Sequence, residues 1–186
     1  TGVDITGAIV TDAGGTIGAS GTTTTLAGIA VAQENNSIFL TDSDVMDTTD
    51  TAAFDTVFGW TAGNALTTGD SNTFMGYAAG GSGANNASYN TFFGSNAGIY
   101  AEKGSNVYVG YRAGGLNKNG AYNVMIGDHA GYTAQGNQYS GSNNVFIGYT
   151  SGYNTGGDKN TFVGIATGLY TTGSYNTFMG YAAGYG

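Results

Sequence analysis

Short apolar triplets recur along this chain at a fixed beat, separated by polar, glycine-rich connections. They read NTFMGYAAG at 72–80, NTFFGSNAG at 90–98, NVYVGYRAG at 106–114 and NVMIGDHAG at 123–131. NVFIGYTSG at 144–152, NTFVGIATG at 160–168 and NTFMGYAAG at 176–184 follow, and DTVFGWTAG at 55–63 is an eighth copy that opens on Asp55 instead of Asn. The copies start at 55, 72, 90, 106, 123, 144, 160 and 176, an average step of about 17 residues. Spacing within each nine-residue core never varies, and Gly holds its fifth and ninth positions every time. Only the connections change length, as expected of a coil that stacks in register on one side and carries loops on the other.

Each triplet predicts a strand, because β-branched and aromatic residues suit a pleated backbone. Thr73, Phe74 and Met75 are one example. Consecutive apolar positions put apolar side chains on both faces of such a strand. A single thin coil covers only one face, so a second layer is expected from an identical chain: a homo-oligomer, and specifically a trimer. The two glycines predict corners with positive φ or close backbone approach. The opening residues Asn72, Asn90, Asn106, Asn123, Asn144, Asn160 and Asn176 are expected to stack into a ladder of amides. No helix is predicted. The fold class is therefore all-β: a parallel β-solenoid or β-roll, with residues 55–186 as eight coils spanning about 38 Å at ~4.8 Å per rung.

At these motifs the chain resembles the head repeats of YadA-type trimeric autotransporter adhesins, whose coils carry an Asn-Ser-Val-Ala-Ile-Gly-like motif. It is also similar to the Asn-Thr-Phe-Ile-Gly-Tyr-x-Ala-Gly repeats of bacteriophage tail fibres. The resemblance spans 55–184. It implies a left-handed, homotrimeric β-roll with an adhesive or fibre-forming role, extracellular, at a cell surface or on a virion. Phe stands where the adhesin motif has a small Ala, and the coil is longer than that family's, which favours the tail-fibre variant.

Composition sharpens this. The chain has 35 Gly but no Pro and no Cys, which excludes collagen, disulfide scaffolds and thiolate metal sites. Four Lys and Arg against twelve Asp and Glu argue against a nucleic-acid partner. No apolar run is long enough for membrane insertion. Charge divides the chain, because residues 1–70 hold nine acids and no Lys or Arg. Residues 1–54 read as an acidic β-rich cap or docking region, with strands at 3–5, 8–10 and 26–32 broken by Gly14-Gly15 and Thr22–Thr25. Asn36-Ser37-Ile38-Phe39 shares only the opening of the motif and reads as part of a cap. Residues 1–32 also suit an alternative: strand addition to the open end of a neighbour, building an end-to-end filament.

Candidate chemistry is sparse. His129, beside Asp128, is the only His. It occupies a motif position filled by Ala78, Asn96 and Arg112 in other coils, so it reads as a variable coil residue and the chain as non-enzymatic. Asp42, Asp44, Asp47 and Asp50 offer hard oxygen ligands to calcium, although their spacing misses an EF-hand loop. Tyr77, Tyr111, Tyr149 and Tyr181 share one motif position and form a stripe suited either to receptor glycans or to packing between chains. The longest connection carries Gln135, Asn137, Gln138 and Tyr139, and loops projecting from a rigid scaffold are usual recognition sites for a glycan or protein receptor. Thr recurs second in the motif, which brings ice binding in as a minor alternative. Val replaces it in three coils, and that face is expected to be covered.

Overall fold

Three residues suffice for each strand here, because glycine turns the backbone immediately afterwards. The computed structural model describes residues 24–26, 29–32, 38–41, 52–83, 86–133 and 141–185. Within the repeats the strands are β4 (Thr56–Phe58), β5 (Thr73–Met75), β6 (Thr91–Phe93), β7 (Val107–Val109), β8 (Val124–Ile126), β9 (Val145–Ile147), β10 (Thr161–Val163) and β11 (Thr177–Met179). Each pairs in parallel with the next, motif position opposite motif position: Phe74 faces Phe92, which faces Tyr108. The chain is thus an all-β parallel β-solenoid of about 7 turns with ~17 residues per coil.

Upstream, β1 (Thr24–Leu26), β2 (Ile29–Ala32) and β3 (Ile38–Thr41) complete one 11-stranded sheet in chain order. β1 and β2 are antiparallel, as are β2 and β3. β3 then runs parallel to β4 with Phe39 opposite Val57, in the register of a further rung. The single strand expected at 26–32 is instead two, and β1 takes in Thr24 and Thr25, which the sequence reads as a break. β-Branched threonines pair readily in a strand, and pairing with a neighbour overrides a local turn signal. The strands expected at 3–5 and 8–10 lie outside the described residues.

Only the middle residue of each triplet points inward. Val57, Phe74, Phe92, Tyr108, Met125, Phe146 and Phe162 are buried in one column, and Phe178 packs against its end. Their rings stack coil on coil: Phe74 on Phe92 at 5.0 Å, Phe92 on Tyr108 at 4.9 Å, Phe146 on Phe162 at 5.0 Å and Phe162 on Phe178 at 5.1 Å. Met125 fills the one gap between the two stacks. Alanines such as Ala79, Ala97 and Ala113 line the opposite wall. Offset stacking contributes about 0.5–1.5 kcal/mol per pair beyond the area buried, so this narrow core relies on rings rather than on volume.

The two fixed glycines do different work. At the first corner Gly94 has φ of 136°, and a Cβ there would lie 2.5 Å from the Gly110 oxygen of the next coil. At the second, Gly114 has φ of 58°, and a Cβ would meet the Tyr108 ring. One lets the coils approach; the other makes room for the core ring. The residue before each ladder position is also left-handed, although it is never glycine: Phe54, Ser71, Tyr89, Ser105, Tyr122, Asn143, Lys159 and Tyr175 have φ of 59–63°. That conformation costs an L-residue about 1–2 kcal/mol. It is held by coil-to-coil bonds such as Tyr89 N–H to the Asp70 carbonyl, 2.9 Å, and Ser105 N–H to the Ser88 carbonyl, 2.9 Å.

Candidate functional surfaces

Three features of the coil carry the chemistry: a polar ladder inside, an apolar face outside and a cluster of rings at one corner.

The ladder is continuous from Asp55 to Asn176. Asn72 N–H donates to Asp55 Oδ1 at 2.7 Å, Asn90 N–H to Asn72 Oδ1 at 3.0 Å and Asn106 N–H to Asn90 Oδ1 at 3.0 Å. Asn123, Asn144, Asn160 and Asn176 repeat the step at 2.8–3.0 Å. The links therefore run chiefly from backbone N–H to amide oxygen rather than from amide to amide. Side-chain Nδ2 groups turn sideways to fasten the connections: Asn72 to the Ala87 carbonyl, Asn123 to that of Gly141 and Asn160 to that of Gly173, each at 2.9 Å. Asn both donates and accepts without charge, which is why it fills a buried column. Asp55 lacks the donor, and burial raises its carboxyl to about 6, even though hydrogen bonds from Asn72 pull it down.

The outward side chains are the first and third of each triplet. The first form a Thr/Val column, and the third an apolar column from Phe58 to Met179. Motif position six, beyond the corner glycine, adds Trp60 and the predicted stripe of Tyr77, Tyr111, Tyr149 and Tyr181, which is exposed throughout. The left-handed residues Phe54, Tyr89, Tyr122 and Tyr175 border the opposite edge and are also exposed.

The ring cluster gathers the chain's only His and only Arg. His129 meets Tyr111 and Tyr132 edge-on at 5.2 and 5.1 Å, and Tyr132 stacks on Tyr153 at 5.8 Å. The Arg112 guanidinium lies 5.1 Å from the Tyr111 ring centre and 5.8 Å from that of Tyr132. Tyr153, Tyr170 and Tyr185 extend the row at 6.3 and 6.1 Å. His129 Nδ1 also contacts Asp128 Oδ1. The variable position that it shares with Ala78, Asn96 and Arg112 is a left-handed corner, φ 52–59° in those four. The row was not anticipated from the sequence. Its one signal is a Tyr directly after the ninth-position glycine at Tyr132, Tyr153 and Tyr185.

The remaining candidates are quickly placed. Asp42, Asp44, Asp47 and Asp50, read as calcium ligands, lie outside the described residues, as do Gln135, Asn137, Gln138 and Tyr139. Among the described residues no three acids or histidines gather as a metal group, and no helix is long and apolar enough to cross a membrane. An internal cavity of about 10 Å³ beside Asn117, Thr133 and Thr155 has room for one water. Comparison with known proteins gives no matching family model, no matching curated protein and no matching solved structure.

Proposed function

We propose that the chain is a non-enzymatic structural protein: a rod module of an extracellular fibre, of the phage tail-fibre or bacterial adhesin kind, that mediates attachment to a cell surface. In this reading the coil is left-handed, three copies associate, and residues 1–54 cap or dock the rod. The observation that carries it is the unbroken ladder from Asp55 to Asn176. Every coil is tied to its neighbours at the same positions, which gives stiffness along one axis, the property a spacer needs. Few Lys and Arg leave few sites for trypsin-like proteases, which suits exposure outside a cell. The exposed tyrosine stripe and the ring row supply flat aromatic surface for sugar rings. Electron microscopy of the purified chain tests the reading. Discrete short rods are expected, and compact globular particles would overturn it.

A second reading, a self-assembling filament, is favoured by one feature. The sheet runs in a single order from β1 to β11, so among the described residues those two strands are its edges. Edge strands are templates for pairing with another chain. Long fibres with a regular axial repeat in the same micrographs would select this reading.

A further inference from the structure

We infer that the ring cluster beyond β7 and β8 is a subsite for an acidic pyranose, a sugar ring that carries a carboxylate. The inference rests on the attachment reading above and names the class of ligand that this corner takes.

Arg112 is the chain's only Arg, and its guanidinium stands over two rings rather than against an acid. It lies 5.1 Å from the centre of Tyr111 and 5.8 Å from that of Tyr132. Among the described residues it makes no ion pair, since the pairs there join Lys118 to Glu102 and His129 to Asp128. A guanidinium carries five N–H donors in a rigid fork that matches a carboxylate. The two rings hold the fork in place without using those donors. The backbone beneath it is fixed as well, because Arg112 N–H donates to the Ser95 carbonyl at 3.0 Å. Lys159 makes the contrast clear. It stands over one ring, that of Tyr175 at 4.9 Å, and its Nζ donates to the hydroxyl of the same residue at 3.1 Å.

His129 holds the same motif position as Arg112 on the next coil, about 4.8 Å further along the axis, and meets the same two rings. Asp128 Oδ1 lies against its Nδ1. A carboxylate only accepts, so the neutral imidazole carries its proton on Nδ1 and keeps a lone pair on Nε2. That lone pair has no partner among the described residues and can accept from a hydroxyl. Tyr111, 41% exposed, adds an aromatic face beside both groups.

The corner thus offers a forked donor, an acceptor one rung away and a flat apolar surface. An acidic pyranose carries the complement of all three: a carboxylate, hydroxyls and a face of C–H bonds. Acetate or phosphate uses only the fork, and a neutral sugar leaves the fork unpaired. The charge distribution permits an anion here. Residues 71–186 carry three acids and four bases, while the other nine acids lie in 1–70.

Calorimetric titration of the 186-residue chain with trigalacturonate tests this, beside its methyl ester, which keeps the ring and removes the charge. The probes are Arg112→Asn at the corner and Lys159→Asn as the control for a cation elsewhere. Asn already occupies each of these left-handed positions in another coil, at Asn96 and Asn143, and circular dichroism checks that the β signal is kept. We expect saturable binding of trigalacturonate, weakened roughly tenfold or more by the ester and by Arg112→Asn, and unchanged in Lys159→Asn. No binding of trigalacturonate or sialyllactose at about 10 mM, where a millimolar site is nearly saturated, overturns the inference and leaves rods in the micrographs standing. The ester binding as tightly as the acid also overturns it, because the corner then reads the ring alone. So does sodium acetate binding as tightly as trigalacturonate, because the corner then reads the anion alone. Equal loss in Lys159→Asn overturns it as a general charge effect. Globular particles in the micrographs with Arg112-dependent binding intact keep the sugar subsite and overturn the rod.

Discussion

Phe92 and Phe93 are adjacent in one strand, the same residue type, with opposite fates. Phe92 is sealed between the rings of Phe74 and Tyr108, while Phe93 is half exposed on the outer face. Position parity, not hydrophobicity, decides burial in this coil. The inner column is one side chain wide, so each ring has two main neighbours and no substitute. The outer column is continuous and apolar, yet the single coil does not depend on it. One strand thus serves two purposes: its middle residue holds the coil together and its outer pair faces whatever lies beyond.

The sharpest way to break this contrast is Phe92→Ala, which removes the centre of a three-ring stack. It should cost about 3–5 kcal/mol, read as a drop in the urea midpoint. Asn106→Ala comes next. It strips the Asn123 N–H of its acceptor and the carbonyls of Lys103 and Gly120 of a donor, at about 3 kcal/mol for buried groups left unpaired. Asp55→Asn should act in the opposite direction. Burial lifts this acid from 3.8 to about 6, with Asp70 adding a little, so the folded state binds the proton more tightly than the unfolded one. Its stabilising effect is full below about pH 4 and is lost as the pH rises through about 6. The Asn variant should therefore melt higher at pH 8, by on the order of 2 kcal/mol, and its stability should vary less between pH 4 and 7. Tyr108→Phe should stabilise by about 1 kcal/mol in the same denaturation assay, because the hydroxyl is buried without a well-formed hydrogen bond. Phe93→Ala should change the stability of the isolated coil by no more than ~0.5 kcal/mol. A large loss there under conditions where the chain is monomeric would erase the inner–outer distinction.

The repeat made much of this legible. A fixed Asn–triplet–Gly spacing implies strands in register, and the positive φ of both glycines follows from their invariance. The inner ladder was legible in its members but not in its bonding. Whether Asn106 accepts from an amide or from a backbone N–H depends on sub-ångström placement of one coil on the next, which no residue type encodes. Aromatic residues at φ near 60°, such as Tyr89 and Tyr175, carry no local signal, since neither prefers that conformation. They take it because hydrogen bonds to the previous coil demand it. The ring row around His129 was hidden for another reason. Its members come from five coils at unequal motif offsets, Tyr132 one residue past its glycine and Tyr170 two, so an aligned repeat puts Tyr132, Tyr153 and Tyr185 in one column but not the rings that join them. For residues 1–54, without a repeat to align, only the pairing order of β1–β3 adds to the sequence reading.

Most of the backbone hydrogen bonds outside the tight turns join one coil to the next, along the axis rather than across it. A pull from the two ends of the solenoid therefore loads the coils in series under one tension, and an end coil, held by a neighbour on one side only, peels first. Each peeled coil of ~17 residues releases about 55 Å of slack once its own ~4.8 Å rise is subtracted. Pulled in this way, the chain would lengthen in coil-sized steps and re-stack when slack returned.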